Sequence, residues 1–214
     1  MNNFITKEIL EYSEKQSVKE PKVLKELNRE THLKVLNPRM LSGALQGRIL
    51  SMISKLIQPK NVLEIGTYTG YSAICIAEGI SNNSTIDTID KNEELQEIQN
   101  KYFLKSGCQH KITQHIGNAL EIIPLIDKKF DLVFIDADKS NYSNYFHLVI
   151  DKMNSGGVIL SDNVLWSGKV VETLDPKDKD TKELLAYNRL LNSDKRIETI
   201  LLPIRDGLTI SRVK

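Results

Sequence analysis

Two acids and a lysine lie close together at residues 136–139, in the order Asp136, Asp138 and Lys139. They follow a run of apolar and β-branched residues, 132–135, which is typical of a strand buried on both faces of a parallel sheet. Open α/β sheets bind their ligands just outside the carboxyl ends of such strands. Carboxylates and an amine at this position could hold a cation or transfer a proton, although charged turns without a function are also common after strands.

A second pair of polar residues, Asp162 and Asn163, follows the next predicted strand at residues 158–161. If this strand lies beside the preceding one, the two strand ends are about 5 Å apart and Asp136 joins the pair. Two carboxylates and an amide oxygen suit a hard divalent cation such as Mg²⁺, with Mn²⁺ or Ca²⁺ as other choices. No histidine or cysteine belongs to this group, which disfavours zinc. The alternative is that Asp162 and Asn163 only cap a loop.

A glycine turn at residues 66–70 follows the first predicted core strand, Asn61–Ile65, and a helix is predicted at residues 71–80. Strand, glycine turn and helix form the arrangement that brings a nucleotide close to the backbone. Position 68 is a tyrosine, so the dinucleotide fingerprint is absent, and the lysine of a P-loop is missing too. Glu64, just before the turn, suits a nucleoside that carries an amine, and S-adenosylmethionine is the leading candidate. A tight turn without a ligand is the alternative.

The next predicted strand, Thr85–Asp90, ends in an acid. An acid at the end of the second strand, about 20 residues past the glycines, is placed to bind ribose hydroxyls. The alternative role of Asp90 is to cap the helix predicted at residues 91–106. A third strand, at residues 111–116, leads to Ala119, a position from which adenine could be contacted in a doubly wound fold.

The last part of the chain contains its one tryptophan, Trp166, in a loop that we expect to be exposed above the sheet. The ring could pack against an aromatic substrate, or it could anchor the loop. A helix is predicted at residues 181–192. Asp206-Gly207 between two apolar runs indicates a hairpin, so we expect an antiparallel pair of strands at the edge of the sheet.

Further helices are predicted from the spacing of apolar residues and from turn signals. Three precede the first strand, at residues 4–17, 21–36 and 42–57, and one follows the central strand, at residues 142–153, before a turn at Gly156-Gly157. The N-terminal region is locally basic. We interpret its basic residues mainly as a solvated face, with contact to an anionic part of a substrate as the alternative: Arg29, Lys34, Arg39 and Arg48.

The composition limits the class of protein. The chain has 214 residues, of which 40% are hydrophobic, enough for one domain with a sizeable core. Its 29 Lys+Arg against 28 Asp+Glu give no overall drive toward nucleic acid or membrane. The chain shows no membrane-spanning stretch, no signal peptide and no metal or redox spacing of its two cysteines, Cys75 and Cys108. We therefore expect a cytoplasmic protein.

Three motifs, VLEIGTYTGYSA, FDLVFIDADK and GGVILSDNVLWSGKV, occur in this order along the chain. They resemble the divalent-cation-dependent O-methyltransferases, the group that holds the caffeoyl-CoA and catechol O-methyltransferases, from about Leu41 to the C-terminus. The resemblance implies an α/β, Rossmann-like, doubly wound sheet of seven strands in the order 3-2-1-4-5-7-6, with strand 7 antiparallel and helices on both faces. It also implies one S-adenosylmethionine-dependent methyltransferase domain over residues 1–214, with residues 1–40 as a helical appendage, and a homodimer.

Matched motif by motif, the resemblance implies roles for individual residues. Lys139 would be the general base. The metal would be held by Asp136, Asp162 and Asn163. Contacts to S-adenosylmethionine would come from a larger set: Ser42, Glu64, Gly66, Thr67, Ser72, Asp90, Ala119 and Asp138.

Two positions on the acceptor side depart from the plant members of the family. Ser167, which with Trp166 would face the substrate, stands where the plant enzymes tend to have an asparagine. Arg205 replaces a glycine that is common in the terminal hairpin. The N-terminal part is also shorter than in the plant enzymes, so recognition of a coenzyme A thioester does not follow from the resemblance.

The implied activity is transfer of a methyl group from S-adenosylmethionine, with a divalent metal, to one hydroxyl of a phenolic small molecule with vicinal oxygens, such as a catechol. An alternative acceptor within the family is 5-hydroxyuridine at the wobble position of tRNA, which the locally basic N-terminal region would fit. A non-catalytic module that only binds the cofactor is the third possibility, and the intact set of acids, lysine and amide argues against it.

Overall fold

The computed structural model describes residues 5–214, and eight α-helices and seven strands lie in this range. The helices are α1 Lys7–Lys15, α2 Lys22–Lys34, α3 Gly43–Ile57, α4 Tyr71–Ala77, α5 Gln96–Lys105, α6 Ala119–Leu125, α7 Tyr142–Ile150 and α8 Lys179–Ser193. The strands are β1 Asn61–Ile65, β2 Thr85–Asp90, β3 Ile112–Ile116, β4 Phe130–Ile135, β5 Met153–Asp162, β6 Ile197–Leu202 and β7 Leu208–Val213.

The seven strands form one sheet in the order β3-β2-β1-β4-β5-β7-β6. The first five strands are parallel to their neighbours, and β7 runs antiparallel to both β5 and β6. The predicted fold class, strand order and terminal hairpin are therefore confirmed. Because the parallel strands all end at one edge of the sheet, the residues that follow β1, β2, β4 and β5 meet there.

The burial of the strands follows their position in the sheet. The central strand β4 is apolar and buried at five of its six positions, with Asp131 half-buried. The outer strand β6 has four consecutive exposed residues. Helices cover both faces of the central strands, and this is why β4 shows a continuous apolar run instead of alternation.

The hydrophobic core has one layer on each face of the sheet. One layer contains side chains of α2, α3, α4 and α5, and the other contains side chains of α6, α7 and α8. Leu24 and Leu27 of α2 are completely buried in the first layer. The hydroxyl of Thr31, also in α2, donates a hydrogen bond of 3.2 Å to Thr69 in the glycine turn. Helix α2 is thus packed into the core beside the turn.

Several element boundaries differ from the predictions. Helix α1 begins at Lys7, capped by Thr6, whereas Phe4, where the predicted helix begins, lies outside the described residues. The helix predicted from residue 91 starts as a short 3-10 turn at Glu93–Leu95, capped by the side chain of Asn92. Neither difference changes the order of the elements along the chain.

The turn predicted at Gly156-Gly157 is wrong, because both glycines lie within β5. The pairing of β4 and β5 shifts register between Phe130 and Leu132, so the glycines mark a bulge. Gly157 is needed for close packing, since a Cβ there would lie 2.9 Å from the backbone oxygen of Asn154. Strand β5 consequently begins at Met153, and α7 ends at Ile150, earlier than predicted.

None of the helices between residues 5 and 214 is both long enough and apolar enough to cross a membrane.

The glycine turn after β1 touches the end of β4. Gly66 has a φ of +102°, and a Cβ at this position would lie 2.0 Å from the backbone oxygen of Asp136. The amide of Asp136 in turn donates a 2.9 Å hydrogen bond to the carbonyl of Ile65. Only glycine allows the backbone after β1 and the backbone after β4 to approach this closely.

We expect Gly66→Ala to lower the free energy of unfolding by about 2–5 kcal/mol. The backbone strain at positive φ contributes about 1–3 kcal/mol, and the overlap with Asp136 contributes about 1–3 kcal/mol more. Gly107→Ala is the matched control, because Gly107 has a φ of +75° and nothing within 4 Å of its added Cβ. Urea unfolding measures both variants. Equal losses would show that the contact with Asp136 contributes nothing.

Candidate active site

A large cleft opens at the carboxyl ends of the parallel strands. Its volume is about 1680 Å³, more than a single small-molecule site of about 300–1,000 Å³ needs. The lining comes from the residues that follow β1, β2, β4 and β5 and from the segment at 35–42 between α2 and α3. The cleft therefore has room for a nucleoside cofactor and a second small molecule side by side.

The acids predicted to converge are brought together by the pairing of β4 and β5. Ile135 lies opposite Ser161 in the parallel register, so the next residues, Asp136 and Asp162, leave the sheet side by side. The Lys139 ammonium donates to Asn163 Oδ1 at 2.9 Å and to Asp136 Oδ1 at 3.3 Å. One cationic group thus already bridges two of the three predicted ligand oxygens.

Asp162 is the most deeply buried of these acids, with 2% of its surface exposed. Burial, together with the nearby negative charge of Asp136, raises the pKa of the Asp162 carboxyl to about 6. Its Oδ2 accepts a 2.6 Å hydrogen bond from Gln46 Nε2, a contact that no local sequence pattern predicts. A carboxylate that is costly to ionise in isolation is stabilised when a cation binds beside it.

The donor set fits a hard divalent cation. It consists of the Asp136 and Asp162 carboxylates and the Asn163 amide oxygen, the ligand types that Mg²⁺, Mn²⁺ and Ca²⁺ prefer. Between residues 5 and 214 no three His, Cys, Asp or Glu side chains form a group that could hold a metal ion. A site here therefore depends on the amide oxygen of Asn163 as its third protein ligand.

Lys139 is held in place by aromatic neighbours as well as by acids. It is 7% exposed, and its ammonium donates to the hydroxyl of Tyr142, which donates in turn to the Asp162 carbonyl at 2.9 Å. The same ammonium lies 5.9 Å from the centre of the Trp166 ring. Sequence reasoning missed Tyr142, although its position three residues after Lys139, at the start of a predicted helix, could have indicated it.

The residues of the glycine turn also line the cleft, beside the end of β4. Gly66, Thr67 and Ser72 line it, and Glu64 is completely buried behind them. Oε2 of Glu64 accepts a hydrogen bond from Thr88 Oγ1, and the Ser72 hydroxyl is close enough to counteract the rise in the pKa of the carboxyl, but the buried Oε1 meets no donor in full hydrogen-bond geometry. A buried carboxylate oxygen that can accept a further hydrogen bond next to a ligand cleft suits a cofactor that carries an amine, as S-adenosylmethionine does.

Asp90 lies in the cleft at the end of β2, as the ribose-binding role requires. Its Oδ2 accepts a 2.6 Å hydrogen bond from the Tyr68 amide, and its Oδ1 accepts from the Asn92 amide. The alternative role as a helix cap belongs to Asn92, which accepts from the amide of Glu94. Asp90 therefore fixes the glycine turn and still faces the cleft.

The remaining predicted cofactor contacts also line the cleft. Ser42 immediately precedes α3 and Ala119 is the first residue of α6. Asp138 is exposed at the cleft and accepts a hydrogen bond of 2.6 Å from the hydroxyl of Tyr145. Seven of the eight predicted residues thus line this one cleft, and the eighth, Glu64, is buried behind the glycine turn.

The loop after Asn163 is exposed over residues 171–177, as expected, but its first part is packed. Trp166 is only partly exposed and packs against the core layer of α7 and α8, which agrees with the alternative that the ring anchors the loop. The backbone there is left-handed at three consecutive residues, with φ values of +48° at Trp166, +55° at Ser167 and +87° at Gly168. The backbone amide of Ser167 donates to Asp206 in the β6–β7 turn, which holds the loop against the hairpin. Trp166 and Ser167 both line the cleft, and the Trp166 ring lies near Lys139.

The basic residues of the N-terminal region do not form one free surface. Arg48 is 11% exposed at its side chain and forms a 2.7 Å ion pair with Glu78. Lys34 forms a 2.9 Å ion pair with Glu30. Two of the four predicted basic residues are thus neutralised locally, which weakens the argument for a polyanionic acceptor.

The strand order, the glycine turn after β1 and the acid at the end of β2 together define an S-adenosylmethionine-dependent methyltransferase. The sequence pattern of the O-methyltransferase family matches residues 14–214. The chain belongs to this family. A caffeoyl-CoA O-methyltransferase of Nicotiana tabacum is 39% identical over 208 residues, which cover 91% of this chain and 85% of the relative.

Solved structures agree with this assignment. The O-methyltransferase TomG of Streptomyces achromogenes, in complex with S-adenosylmethionine, has a TM-score of 0.88 at 27% identity, covering 97% of this chain and 96% of TomG. The methyltransferase PaMTH1 of Podospora anserina, bound to S-adenosylhomocysteine, has a TM-score of 0.88 at 29% identity, covering 97% and 94%. The protein is an S-adenosylmethionine-dependent O-methyltransferase of the caffeoyl-CoA O-methyltransferase type.

Glu64 gives the cofactor-free protein a specific pH dependence. Burial, and then the negative charges of Asp136 and Asp90, raise the pKa of its carboxyl to about 7 against an ordinary value of 4.5. Between these values the folded protein keeps a proton that the unfolded chain releases, so the stability from this group is present at low pH and is lost as pH rises.

We therefore expect the stability of the unmodified protein, relative to Glu64→Gln, to fall as pH rises between 4.5 and 7. The relative loss should be on the order of 3 kcal/mol, because each pKa unit is worth about 1.36 kcal/mol. Glutamine is uncharged throughout and retains the shape of the protonated acid. Urea unfolding of both proteins without cofactor, in steps across this range, gives the difference. A difference that does not change with pH would contradict the raised pKa.

Proposed function

We propose that the protein methylates one hydroxyl of a catechol-like phenol and that a divalent cation, Mg²⁺ most readily, takes part. The observation that carries this proposal is the meeting of Asp136, Asp162, Asn163 and Lys139 at the edge of the sheet. The caffeoyl group in the names of the plant relatives carries two neighbouring phenolic hydroxyls, the acceptor chemistry that such a site would select.

The chain has to help ionise the acceptor. A phenol, like the tyrosine side chain, has a pKa of about 10, so only about one molecule in a thousand is ionised at pH 7. When bound, the cation would be chelated by the two neighbouring oxygens of the acceptor and would favour the phenolate. Asp136, Asp162 and Asn163 would hold it, and their position at the ends of two adjacent strands makes this ligand geometry rigid.

Lys139 is the group placed to take the proton. Its Nζ lies among the Asp136 and Asn163 oxygens and beside the Tyr142 hydroxyl. In the proposed reaction Lys139 acts as the neutral amine, its ammonium proton having left to solvent once a bound divalent cation would compensate the charge of the acids. Nζ then accepts the proton of the acceptor hydroxyl, and the ammonium that forms is stabilised by these same acceptors and by the Trp166 ring. Tyr142 keeps the lysine in this orientation throughout.

The methyl transfer step depends mainly on the alignment of the acceptor oxygen with the methyl group of the cofactor. The phenolate oxygen attacks the methyl carbon of S-adenosylmethionine, the sulfur–methyl bond breaks, and S-adenosylhomocysteine leaves. The cofactor is proposed to be held by eight residues: Ser42, Glu64, Gly66, Thr67, Ser72, Asp90, Ala119 and Asp138. The acceptor is proposed to be held by Trp166 and Ser167. Holding two reactants in line in this way can supply a large part of the rate enhancement.

The homodimer, the cytoplasmic location and the division into one domain with a helical appendage stay predictions of the sequence. The tRNA acceptor and the non-catalytic module are not favoured by any contact in residues 5–214. Both enter the acceptor experiment as outcomes that contradict the proposal.

We expect labelled methyl transfer from S-adenosylmethionine to a vicinal diol phenol such as caffeate, and little or none to the matched monophenol coumarate. EDTA should abolish the transfer and added Mg²⁺ should restore it, since the diol is proposed to be activated by chelation. Transfer that is unaffected by EDTA would contradict the metal. Transfer only to undermodified tRNA would contradict the acceptor, and no transfer to any phenol or RNA would favour the non-catalytic module.

Lys139→Ala should lower turnover of the diol by about 10²–10⁴-fold, the usual contribution of a general base. Binding of S-adenosylhomocysteine, measured by calorimetry, should be retained because Lys139 contacts the acceptor side. Lys169→Ala is the control. Its side chain is half exposed and pairs with Asp178 at 2.7 Å, so its removal should leave turnover unchanged. Normal turnover of Lys139→Ala would refute the role of the lysine.

A further inference from the structure

A buried chain of hydrogen bonds connects the metal-binding edge to two elements that are distant in sequence. Gln46 Nε2, in α3, donates to Asp162 Oδ2 at 2.6 Å. Arg205 Nη1, in the turn between β6 and β7, donates to the other end of the same amide, Gln46 Oε1. Gln46 is 3% exposed and Asp162 is 2% exposed, so neither bond competes strongly with water.

The chemistry of the three groups allows one arrangement of the amide. A guanidinium can only donate hydrogen bonds, and a carboxylate can only accept them. The amide of Gln46 satisfies both neighbours when its oxygen faces Arg205 and its nitrogen faces Asp162. The opposite orientation would set an oxygen against a carboxylate and an NH₂ group against a guanidinium. Arg205 therefore fixes which end of Gln46 meets Asp162.

Arg205 is itself held by the packing of the hairpin turn. The next residue, Asp206, accepts a 2.9 Å hydrogen bond at its carbonyl from the amide of Leu165. Gly207 has a φ of +90°, and a Cβ there would lie 2.6 Å from the Leu165 side chain. The turn is thus in close contact with the loop that begins at Asn163. Arg205 has a φ of +52°, which orients its side chain within a turn that packing already constrains.

We propose that Gln46 is a positioning residue for the metal ligand Asp162 and that Arg205 sets the orientation of Gln46. This inference rests on the proposed function, because it assigns Asp162 to a metal. The hydrogen bond occupies Oδ2 and leaves Oδ1 for the cation. It also supplies a neutral donor, so that Asp162 is oriented without an ion pair that would compete with the metal for its charge.

Gln46 does not line the cleft, whereas Arg205 does. A residue behind a ligand is expected to change the affinity for the metal, because partners of this kind hold the ligand in its binding orientation. The same residue should leave cofactor binding unchanged, because the hydrogen bonds of its side chain go to Asp162 and Arg205 and not to Glu64 or the glycine turn. This difference makes the role of Gln46 distinguishable from a general contribution to folding.

The test is the binding of Mn²⁺, measured by the electron paramagnetic resonance of the free ion, in the full-length protein. Gln46→Met keeps the length of the side chain and removes both hydrogen bonds. We expect its affinity for Mn²⁺ to fall by about 10–100-fold, the usual effect of losing such a partner. Its affinity for S-adenosylhomocysteine in the absence of metal should be unchanged.

Asn154→Leu is the matched control. Asn154 also donates an amide hydrogen bond to a carboxylate, Asp131 Oδ1, at 2.7 Å. It joins the same two strands, β5 and β4, at the opposite end of the sheet from the metal-binding edge. Asn154→Leu should lower the free energy of unfolding, as the loss of any partly buried hydrogen bond does. It should leave the affinity for Mn²⁺ unchanged.

The Arg205 link is tested separately, which keeps the proposal falsifiable if Gln46→Met does not fold. Arg205→Lys retains a donor for Gln46 Oε1 and should bind Mn²⁺ almost normally, whereas Arg205→Met should bind it more weakly. In the metal-free protein, the side-chain NH₂ of Gln46 should exchange slowly with solvent by NMR. It should exchange faster in Arg205→Met than in Arg205→Lys.

The outcomes separate this inference from the proposed function. If the unmodified protein binds no Mn²⁺, the proposed metal site fails. If the unmodified protein and Gln46→Met bind Mn²⁺ equally, the positioning role is overturned and the metal site stands. Equal losses in Gln46→Met and Asn154→Leu would also overturn it, because they would show a loss of stability and not of ligand orientation.

Discussion

The parallel pairing of β4 and β5 is the constraint on which the site depends. It sets Ile135 opposite Ser161, so that Asp136 and Asp162 leave the sheet as neighbours, with Asn163 next to them. Two carboxylates this close in a partly desolvated place repel each other and require a compensating cation. The ammonium of Lys139 meets this need in the structure through its contacts with Asp136 and Asn163. The residues that balance the charges at this edge of the sheet are therefore the same residues that are proposed to carry out catalysis.

A second constraint ties this edge to the cofactor wall. Gly66 approaches the backbone of Asp136 so closely that a Cβ would overlap it. The turn that carries Gly66, Thr67 and Ser72 is thereby set at a fixed separation from the end of β4. For a reaction that joins a methyl group and an oxygen in line, this separation is the quantity that matters most. One glycine thus links cofactor binding to acceptor binding.

Much of the fold could be predicted from the sequence, because the core strands are read from local patterns. The apolar run before Asp136 and the glycines after Ile65 both depend on a few neighbouring residues, and β1 and β2 were placed at their observed bounds. The start of β5 was not, because Gly156 and Gly157 look like a turn and become a bulge only when β4 pairs beside them. Whether the Trp166 ring anchors its loop likewise does not follow from a local pattern, because its packing partners come from the core layer of α7 and α8.

The chemical types at the site, the order of the elements and the family can all be read from the sequence. This is possible because motifs such as FIDADK and LSDN keep their chemistry within a few consecutive residues. The tertiary structure alone decided the partners of those residues. Gln46 is 116 positions from Asp162 and 159 positions from Arg205 along the chain. Hydrogen bonds of this kind leave no local pattern, because they exist only after α3, β5 and the β6–β7 turn have packed together.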